Sequence, residues 1–175
     1  MLKSALAALL SPLLFLLFAA PAAAQFDSSE EPIDITSDRL EVFQEEKRAV
    51  FTGDVVAIQG EARLAAKKLV VHFDSVEDGE WGDIERMRAE GGVRYATPTE
   101  VATGQWAVYE AGARTITFHE RVVVNRGDNV LRGAKLTVNV DTNQSVMESG
   151  SENGANGRVR GLFFTGGQND PSEES

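Results

Sequence analysis

Apolar and polar residues follow one eight-residue pattern that occurs four times along the chain. It reads apolar, any, small, any, any, large apolar, any, valine, and its copies begin at Ile35, Leu64, Val101 and Leu131. These starting positions are 29, 37 and 30 residues apart. A repeat of this length predicts a stack of similar supersecondary units.

The pattern also predicts a bend inside each copy. Its first and third positions share one face of an extended strand, and so do its sixth and eighth, but the two pairs have opposite parity. A one-residue bulge near the small third position would return both pairs to the same face. Each copy is therefore expected to be a strand that turns a corner around an apolar interior.

A second, longer repeat supports the first. Residues 49–56 align with residues 116–123 at an offset of 67, and the same offset pairs Gly60 with Gly127. Glycine beside Asp, Asn or Glu marks tight turns between such segments, and apolar residues recur at every second position. We therefore predict an all-β fold of repeated short antiparallel strands, with no helix after residue 24.

The first residues have the features of an export signal. Lys3 gives a short basic start, residues 5–20 are almost wholly apolar, and Ala22 and Ala24 fit the small-x-small cleavage rule. Cleavage after Ala24 would place the protein outside the cytoplasm. A retained membrane anchor is the alternative, because the apolar run approaches the length that spans a bilayer.

The sequence predicts four segments. We expect a cleaved signal peptide at residues 1–24, a flexible segment at residues 25–32, one β domain at residues 33–165 and a disordered acidic tail at residues 166–175. The tail is polar, acidic and rich in glycine and serine, as disordered segments are. The β domain is long enough to bury a sizeable core.

Composition narrows the possible functions. The chain has no cysteine, which excludes disulfides, thiol redox chemistry and thiolate metal sites. Lys3 is the one charged residue before residue 25. Without it the chain has 16 basic and 27 acidic residues, which gives a net charge of −11. Such a charge disfavours binding to nucleic acid or to an anionic membrane surface.

Candidate catalytic residues are few. His72 and His119 fall at different positions of the repeat, and no third ligand stands at metal-binding spacing. Carboxylates such as Asp54 and Glu61 alternate with apolar residues, as on a solvated outer face. The sequence has no nucleophile elbow, phosphate-binding loop or dinucleotide fingerprint. We therefore expect no enzyme activity, no cofactor and no metal.

Basic residues recur at the fifth pattern position, as Arg39, Lys68 and Lys135. Each precedes a large apolar residue and so lies on the opposite face of its strand. Two interpretations stay open: long side chains that cover the outer sheet, or a basic row that meets anionic head groups at an open rim.

The apolar residues that the repeated strand pattern places on the inner face form the candidate lipid-binding set. They are Ile33, Ile35, Leu40, Val42, Phe51, Val55, Leu69, Val71, Val93, Tyr95, Trp106, Val108, Phe118, Val122, Leu136 and Val138. They would form either a filled sandwich core or a trough for acyl chains. Burial of an acyl chain is worth about 0.8 kcal/mol per methylene, so a trough would shelter such a chain in water.

Three segments carry a specific resemblance. Residues 33–40 (IDITSDRL), 49–60 (AVFTGDVVAIQG) and 64–71 (LAAKKLVV) resemble the OstA-like family of lipopolysaccharide-transport proteins. The similarity extends over about residues 32–140 and includes the strand expected at residues 158–164. The chain departs from the family at an acidic insertion, residues 74–83, and at Lys67, where many relatives carry an acidic residue.

The resemblance implies a β-jellyroll that is open at both ends. It further implies a periplasmic bridge of copies stacked head to tail, which carries lipopolysaccharide from the inner to the outer membrane with its acyl chains in the apolar interior. The implied partners are lipopolysaccharide, the inner-membrane jellyroll component C, the outer-membrane translocon component D and other copies of the chain.

Two other functions stay open on the sequence. One is a membrane-tethered assembly or extraction factor that resembles component C and retains residues 1–24. The other is a structural β polymer without lipid. In each case the ends of the jellyroll would leave unpaired strands, which we expect at residues 33–37 and 158–164.

Overall fold

A computed structural model of the protein describes residues 31–142, 144–150 and 157–164. Within these residues all regular structure is β-strand, as predicted, and the strand pairs are antiparallel. The described part contains no helix long and apolar enough to cross a membrane. The predicted signal peptide, most of the segment at residues 25–32 and the predicted acidic tail lie outside the described residues.

Twelve strands are formed by the described residues. They are β1 (Asp34–Thr36), β2 (Arg39–Phe43), β3 (Arg48–Gln59), β4 (Ala62–Phe73), β5 (Val76–Glu77), β6 (Glu80–Trp81), β7 (Ile84–Ala96), β8 (Val101–Glu110), β9 (Thr115–Arg126), β10 (Asn129–Asn139), β11 (Ser145–Glu148) and β12 (Arg160–Leu162). Ten of them form one sheet, in which β3, β4, β7, β8, β9 and β10 are consecutive neighbours.

Tight turns join the long strands at equivalent places in the repeat. Gly60 connects β3 to β4 and Gly127 connects β9 to β10, and both have a φ of +56°. Glycine adopts this left-handed conformation without a steric penalty, which suits a two-residue hairpin turn. The sequence offset of 67 residues thus reflects two structurally equivalent hairpins.

Each long strand is interrupted near its middle, and these interruptions lie side by side across the sheet. The register shifts between Thr52 and Val55, Ala65 and Lys68, Glu90 and Val93, Thr103 and Trp106, and Gly133 and Lys135. We call this row of bulges the bend line. It confirms the predicted bend beside the small third position, and in the first copy the chain leaves the strand altogether between β1 and β2.

Left-handed backbone pairs make the bend in alternate strands. They are Gly53–Asp54 in β3 (φ 81° and 41°), Gly91–Gly92 in β7 (86° and 85°) and Glu120–Arg121 in β9 (62° and 54°). A small residue stands at the bend in the strands between them. A Cβ atom at Gly104 of β8 would lie 3.0 Å from the His119 carbonyl oxygen, so the neighbouring backbones approach closely at this point.

The bend line divides the sheet into two layers that face each other. Layer A contains β2, β11 and the parts of the long strands on the Trp106 side of the bend, and layer B contains β1, β12 and the parts on the Val93 side. The Tyr95 ring of layer B lies 6.3 Å from the Phe118 ring of layer A, centroid to centroid. The apolar core therefore fills the space between the layers.

Each end of this sandwich has two edge strands, one in each layer. β1 and β2 both pair with β3 at one end, and β11 and β12 both pair with β10 at the other. The two segments predicted as edges are among them. β2 and β11 are further edges that the sequence pattern does not predict.

The acidic insertion, residues 74–83, contains a small hairpin. β5 and β6 pair with each other around Asp78 and Gly79, whose φ values of 51° and 86° fit a two-residue turn. The hairpin is held to the domain by Trp81, whose ring centroid is 4.5 Å from that of Phe73.

Candidate functional site

The space between the two layers is the candidate functional site. Twelve of the sixteen predicted inner residues belong to, or pack against, the apolar cluster in this space, and Leu40 and Val42 share the inner parity of their strand. The strand register places inner residues opposite one another across the sheet. For example, Phe51 pairs with Leu69, which pairs with Ala89, and Phe118 pairs with Leu136. These partners belong to, or pack against, one buried apolar cluster.

The middle of this interior is closely packed. Leu69, Val122 and Phe118 are 1%, 0% and 2% exposed, and Val55, Val71 and Val93 are equally inaccessible. The side chains leave a cavity of about 30 Å³, room for about one or two water molecules. The interior is a filled core in this structure, so an acyl chain could enter only if the layers separated.

The cavity lies between the layers and has an almost wholly apolar lining. Its lining residues are Ala57, Leu64, Leu69, Met87, Ala89, Tyr95, Ala107, Val108, Tyr109, Ile116 and Phe118. Several of these, including Tyr109 and Ala107, were absent from the predicted set. Strand pairing is a signal that could have found some of them, since Ala107 pairs with Phe118, which the prediction did include. Tyr109 pairs with Met87 and Ile116, which the prediction did not include.

The prediction that Trp106 and Val108 occupy inner positions is wrong, although Val108 is 6% exposed and also lines the cavity. In β8 the inner positions belong to Ala102, Gly104, Ala107 and Tyr109, which pair with Tyr95, Val93, Ala89 and Met87 of β7. Because side chains alternate along a strand, Trp106 and Val108 have the outer parity. The segment of β8 that is structurally equivalent to the other copies begins at Ala102, one residue later, and has Ala107 and Tyr109 in place of the large apolar residue and the valine. The spacings become 29, 38 and 29 residues.

On the outer face, Trp106 is enclosed by side chains of the two neighbouring strands. Its ring stacks on His119 at 3.6 Å and 6°, and the Arg88 guanidinium lies 4.3 Å from its centroid. Its indole nitrogen donates a hydrogen bond of 3.2 Å to Glu120. Both faces of the ring are therefore covered, and Trp106 ties β7, β8 and β9 together next to the bend line.

Charged groups continue this outer row. Arg88 donates a 2.5 Å hydrogen bond to Glu90, and that bond, with the charges of Arg88 and Lys68, holds the pKa of Glu90 below its usual value. The pKa of His119 is also lowered, mainly by burial and then by the nearby charges of Lys135 and Arg88. The imidazole is thus kept neutral over most of the physiological range.

The basic residues of the fifth pattern position lie on this outer face with acidic partners. Arg39 pairs with Glu41 at 2.8 Å, Lys68 with Glu90 at 3.8 Å and Lys135 with Glu148 at 2.7 Å. This arrangement fits the interpretation that they cover the outer sheet. Contact with head groups stays a prediction.

At the two ends the inner face is open to solvent. Leu40 and Val42 of β2 are 52% and 49% exposed, although both have the inner parity. At the other end, Phe163 and Phe164, which follow β12, are 66% and 63% exposed. Large apolar side chains beside unpaired strand edges are typical of surfaces that bind another chain.

The described residues contain no group of three or more His, Asp or Glu side chains that could hold a metal ion. His72 pairs with Arg48 and Arg86 in the neighbouring strands, whereas His119 stacks on Trp106. The two histidines therefore do not form a common site.

Comparison with known families matches residues 34–144 to the family described as LptA/(LptD N-terminal domain) LPS transport protein. The chain belongs to this family. The resemblance seen in the sequence is therefore confirmed, and the match covers every strand of the jellyroll up to the start of β11.

Two further proteins are similar to this member of the LptA family. An uncharacterised protein of Rhizobium meliloti (strain 1021) is 32% identical over 127 residues, which cover 70% of this chain and 68% of the relative. The crystal structure of LptH, the LptA homologous periplasmic component of the lipopolysaccharide transport device of Pseudomonas aeruginosa, has a TM-score of 0.66 at 19% identity. It covers 78% of this chain and 97% of that chain, and it confirms the predicted β-jellyroll fold.

Proposed function

We propose that this protein is a periplasmic carrier that binds lipopolysaccharide with its acyl chains between layers A and B. It passes the lipid from the inner to the outer membrane as part of a bridge of jellyrolls. The observation that carries the proposal is the apolar interior, which runs between the layers from Leu40 and Val42 at one end to Phe163 at the other. Membership of a lipopolysaccharide-transport family supports the choice of cargo.

Acyl chains would enter by replacing contacts between the layers. The 30 Å³ cavity is far too small for a chain of about a dozen carbons, so the layers must move apart about the bend line. Each methylene that enters contributes about 0.8 kcal/mol, and this offsets the lost contacts between side chains. No catalytic step is required, because the energy for transport would come from elsewhere in the machine.

The open ends would join the protein to its neighbours. β1 and β2 expose unpaired backbone groups at one end, and β11 and β12 do so at the other. Such edges recruit an incoming strand by main-chain hydrogen bonding. The partners we propose are component C at the inner membrane, component D at the outer membrane and further copies of this chain, stacked head to tail.

Lipid analysis of the purified protein tests the cargo. Protein isolated from its native periplasm under mild conditions should carry lipopolysaccharide, detected by mass spectrometry after extraction. A matched preparation exposed to detergent and then washed provides the background level. A native preparation with no lipid above that background would favour a structural β polymer.

Removal of the C-terminal edge tests the assembly. A chain that ends at Gly157 lacks β12 and both exposed phenylalanines, while β3 to β10 remain. It should stay folded by circular dichroism and lose the concentration-dependent oligomers seen by light scattering. Because a head-to-tail contact is heterologous, the full chain is not limited to dimers. Long assemblies of the truncated chain would show that the ends are assigned wrongly.

The location of the mature protein can be measured independently. The intact mass of the exported chain should correspond to cleavage after Ala24, and the protein should fractionate with the periplasm. Retention of residues 1–24 would instead favour the membrane-tethered factor that resembles component C.

A further inference from the structure

Tyr109 places a polar group inside the apolar interior. It lies near the end of β8 in layer A, where it pairs with Met87 of β7 and Ile116 of β9. Its side chain lines the cavity between the layers and is 6% exposed. Sequence periodicity does not single it out, because Ala107, Val108 and Tyr109 are consecutive apolar residues.

The Tyr109 hydroxyl is buried and has no hydrogen-bond partner within the described residues. A buried hydroxyl without a partner destabilises a folded protein, because it loses its hydrogen bonds to water and gains none in return. Phenylalanine would fill the same space without that loss. The oxygen atom is therefore not explained by packing of the free protein.

A bound water does not readily supply the missing partner. Nine of the eleven residues that line the cavity are Ala, Leu, Met, Val, Ile or Phe, whose side chains offer a water at most a weak thioether acceptor. A buried water is held by about three hydrogen bonds, and an apolar cavity of this size tends to stay dry. The hydroxyl thus remains available to a molecule that enters between the layers.

The hydroxyl is kept in its donor form. Burial raises the pKa of Tyr109 above its usual value, and the nearby Asp141 carboxylate raises it further. At neutral pH the group is therefore an un-ionised phenol, which can donate one hydrogen bond and accept another.

We propose that Tyr109 recognises an oxygen atom carried by the bound acyl chain, either a hydroxyl on the chain or the carbonyl oxygen at its base. This inference rests on the proposed lipid-carrying function and deepens it. Aliphatic burial alone cannot distinguish one acyl chain from another of the same length. A hydrogen bond at a fixed depth between the layers can, because an unmatched polar group would stay unsatisfied.

Matched lipids and the variant Tyr109→Phe test the proposal. Binding is measured as displacement of a fluorescent fatty acid from the full mature chain. One pair of competitors is beta-hydroxymyristic acid and myristic acid, and the other is an ester-linked lysophosphatidylcholine and its ether-linked analogue. Thr117→Val is the matched control, because it removes a hydroxyl from the outer face of the neighbouring strand β9, where Thr117 pairs with Val108.

The expected result is selective. In at least one pair, Tyr109→Phe should weaken binding of the member that has the additional chain hydroxyl or ester carbonyl by about two- to tenfold. Binding of the other member of that pair should be unchanged. The pair that responds identifies whether a chain hydroxyl or a carbonyl oxygen is recognised. Thr117→Val should leave the ratio of the two affinities unaltered in each pair.

A second measurement is independent of any lipid. In the free protein Tyr109→Phe removes the unsatisfied hydroxyl, so its melting temperature should rise by about 2–4 °C. If the wild type binds the competitors but the ratios are the same in Tyr109→Phe, the inference is overturned and the carrier function stands. If the wild type binds none of these lipids and no lipopolysaccharide, the carrier function itself is overturned.

Discussion

The centre of the jellyroll and its two ends are built from the same repeated strands, yet they differ sharply in burial. Phe118 in β9 is 2% exposed, whereas Phe163, beside β12, is 66% exposed. Val71 in β4 is 1% exposed and Val42 in β2, which has the same inner parity, is 49% exposed. The difference arises because each central strand has a neighbour on both sides, while β2 and β12 lie at edges.

The difference in burial indicates that the central strands and the ends have different roles. The central strands supply the stability of the domain, because their side chains are removed from water on all sides. The ends keep apolar side chains and backbone hydrogen-bonding groups exposed, a cost that is offset only when another chain or a lipid covers them. Substitutions in the two regions should therefore affect different measurements.

Truncation of the largest fully buried side chain should give the largest effect on stability. Phe118→Ala leaves a large cavity between the layers, and we expect it to lower the free energy of unfolding by about 3–5 kcal/mol. Phe163→Ala is the matched control at the end, with an expected change within about 0.5 kcal/mol. Urea denaturation followed by circular dichroism measures both. Equal losses would remove the distinction between centre and ends.

The bend line should be the next most sensitive region. Gly91 has a φ of 86°, and a Cβ atom there would lie 2.6 Å from Lys67 Cβ. Gly91→Ala should lower the free energy of unfolding by about 1–3 kcal/mol, because both the backbone conformation and the space favour glycine. Gly112→Ala is the control, since nothing lies within 4 Å of a Cβ atom at Gly112. A neutral result at Gly91 would mean that the bend tolerates side chains.

Substitution at an end should change association and leave stability nearly unaltered. Val42→Asp places a charge on the exposed inner face of β2, and we expect end-to-end association to weaken by about tenfold, or ~1.4 kcal/mol. Sedimentation over a range of concentrations measures this, with Glu41→Asp on the outer side of the same strand as control. Unchanged association in Val42→Asp would indicate that β2 lies outside the contact.

The smallest expected effect is a pH dependence that arises at the outer face. Because the folded-state pKa of His119 lies below the usual 6.5, its contribution to stability is complete above about pH 6.5 and is lost as the pH falls through the folded-state value. His119→Phe keeps a ring beside Trp106 and removes the titration. The free energy of unfolding of the variant should therefore fall less steeply below pH 6.5. An identical slope would show that His119 titrates normally.

The outcome at β4 and β8 shows how much the sequence could predict. In β4 the charged residues Arg63 and Lys68 mark the outer face, so Leu64, Ala66, Leu69 and Val71 could be assigned to the inner face. In β8 apolar residues occupy both faces, since Ala107, Val108 and Tyr109 are consecutive, so periodicity could not choose between them. The choice depends on cross-strand neighbours: Ala107 pairs with Ala89, a core residue.

The packing of the interior could not be predicted either. The sequence showed that apolar residues line the space between the layers, and it left a filled core and a trough equally open. Which of the two forms depends on how far apart the layers lie, and that distance is set by the left-handed pairs and small residues of the bend line. At β8 the wrong parity selected Trp106 and Val108 as inner residues, so Tyr109 was not predicted to face the interior.

The central claim, that acyl chains lie between the layers, is tested most directly by site-specific photo-crosslinking in the presence of lipopolysaccharide. A crosslinking amino acid at Phe118 in β9 probes the interior. The same group at Trp106 in the adjacent strand β8 probes the outer face, because Trp106 pairs with His119, which follows Phe118 and points to the opposite side. The account predicts a lipopolysaccharide adduct at position 118 and none above background at position 106. Equal capture at both positions, or capture at position 106 alone, would contradict it.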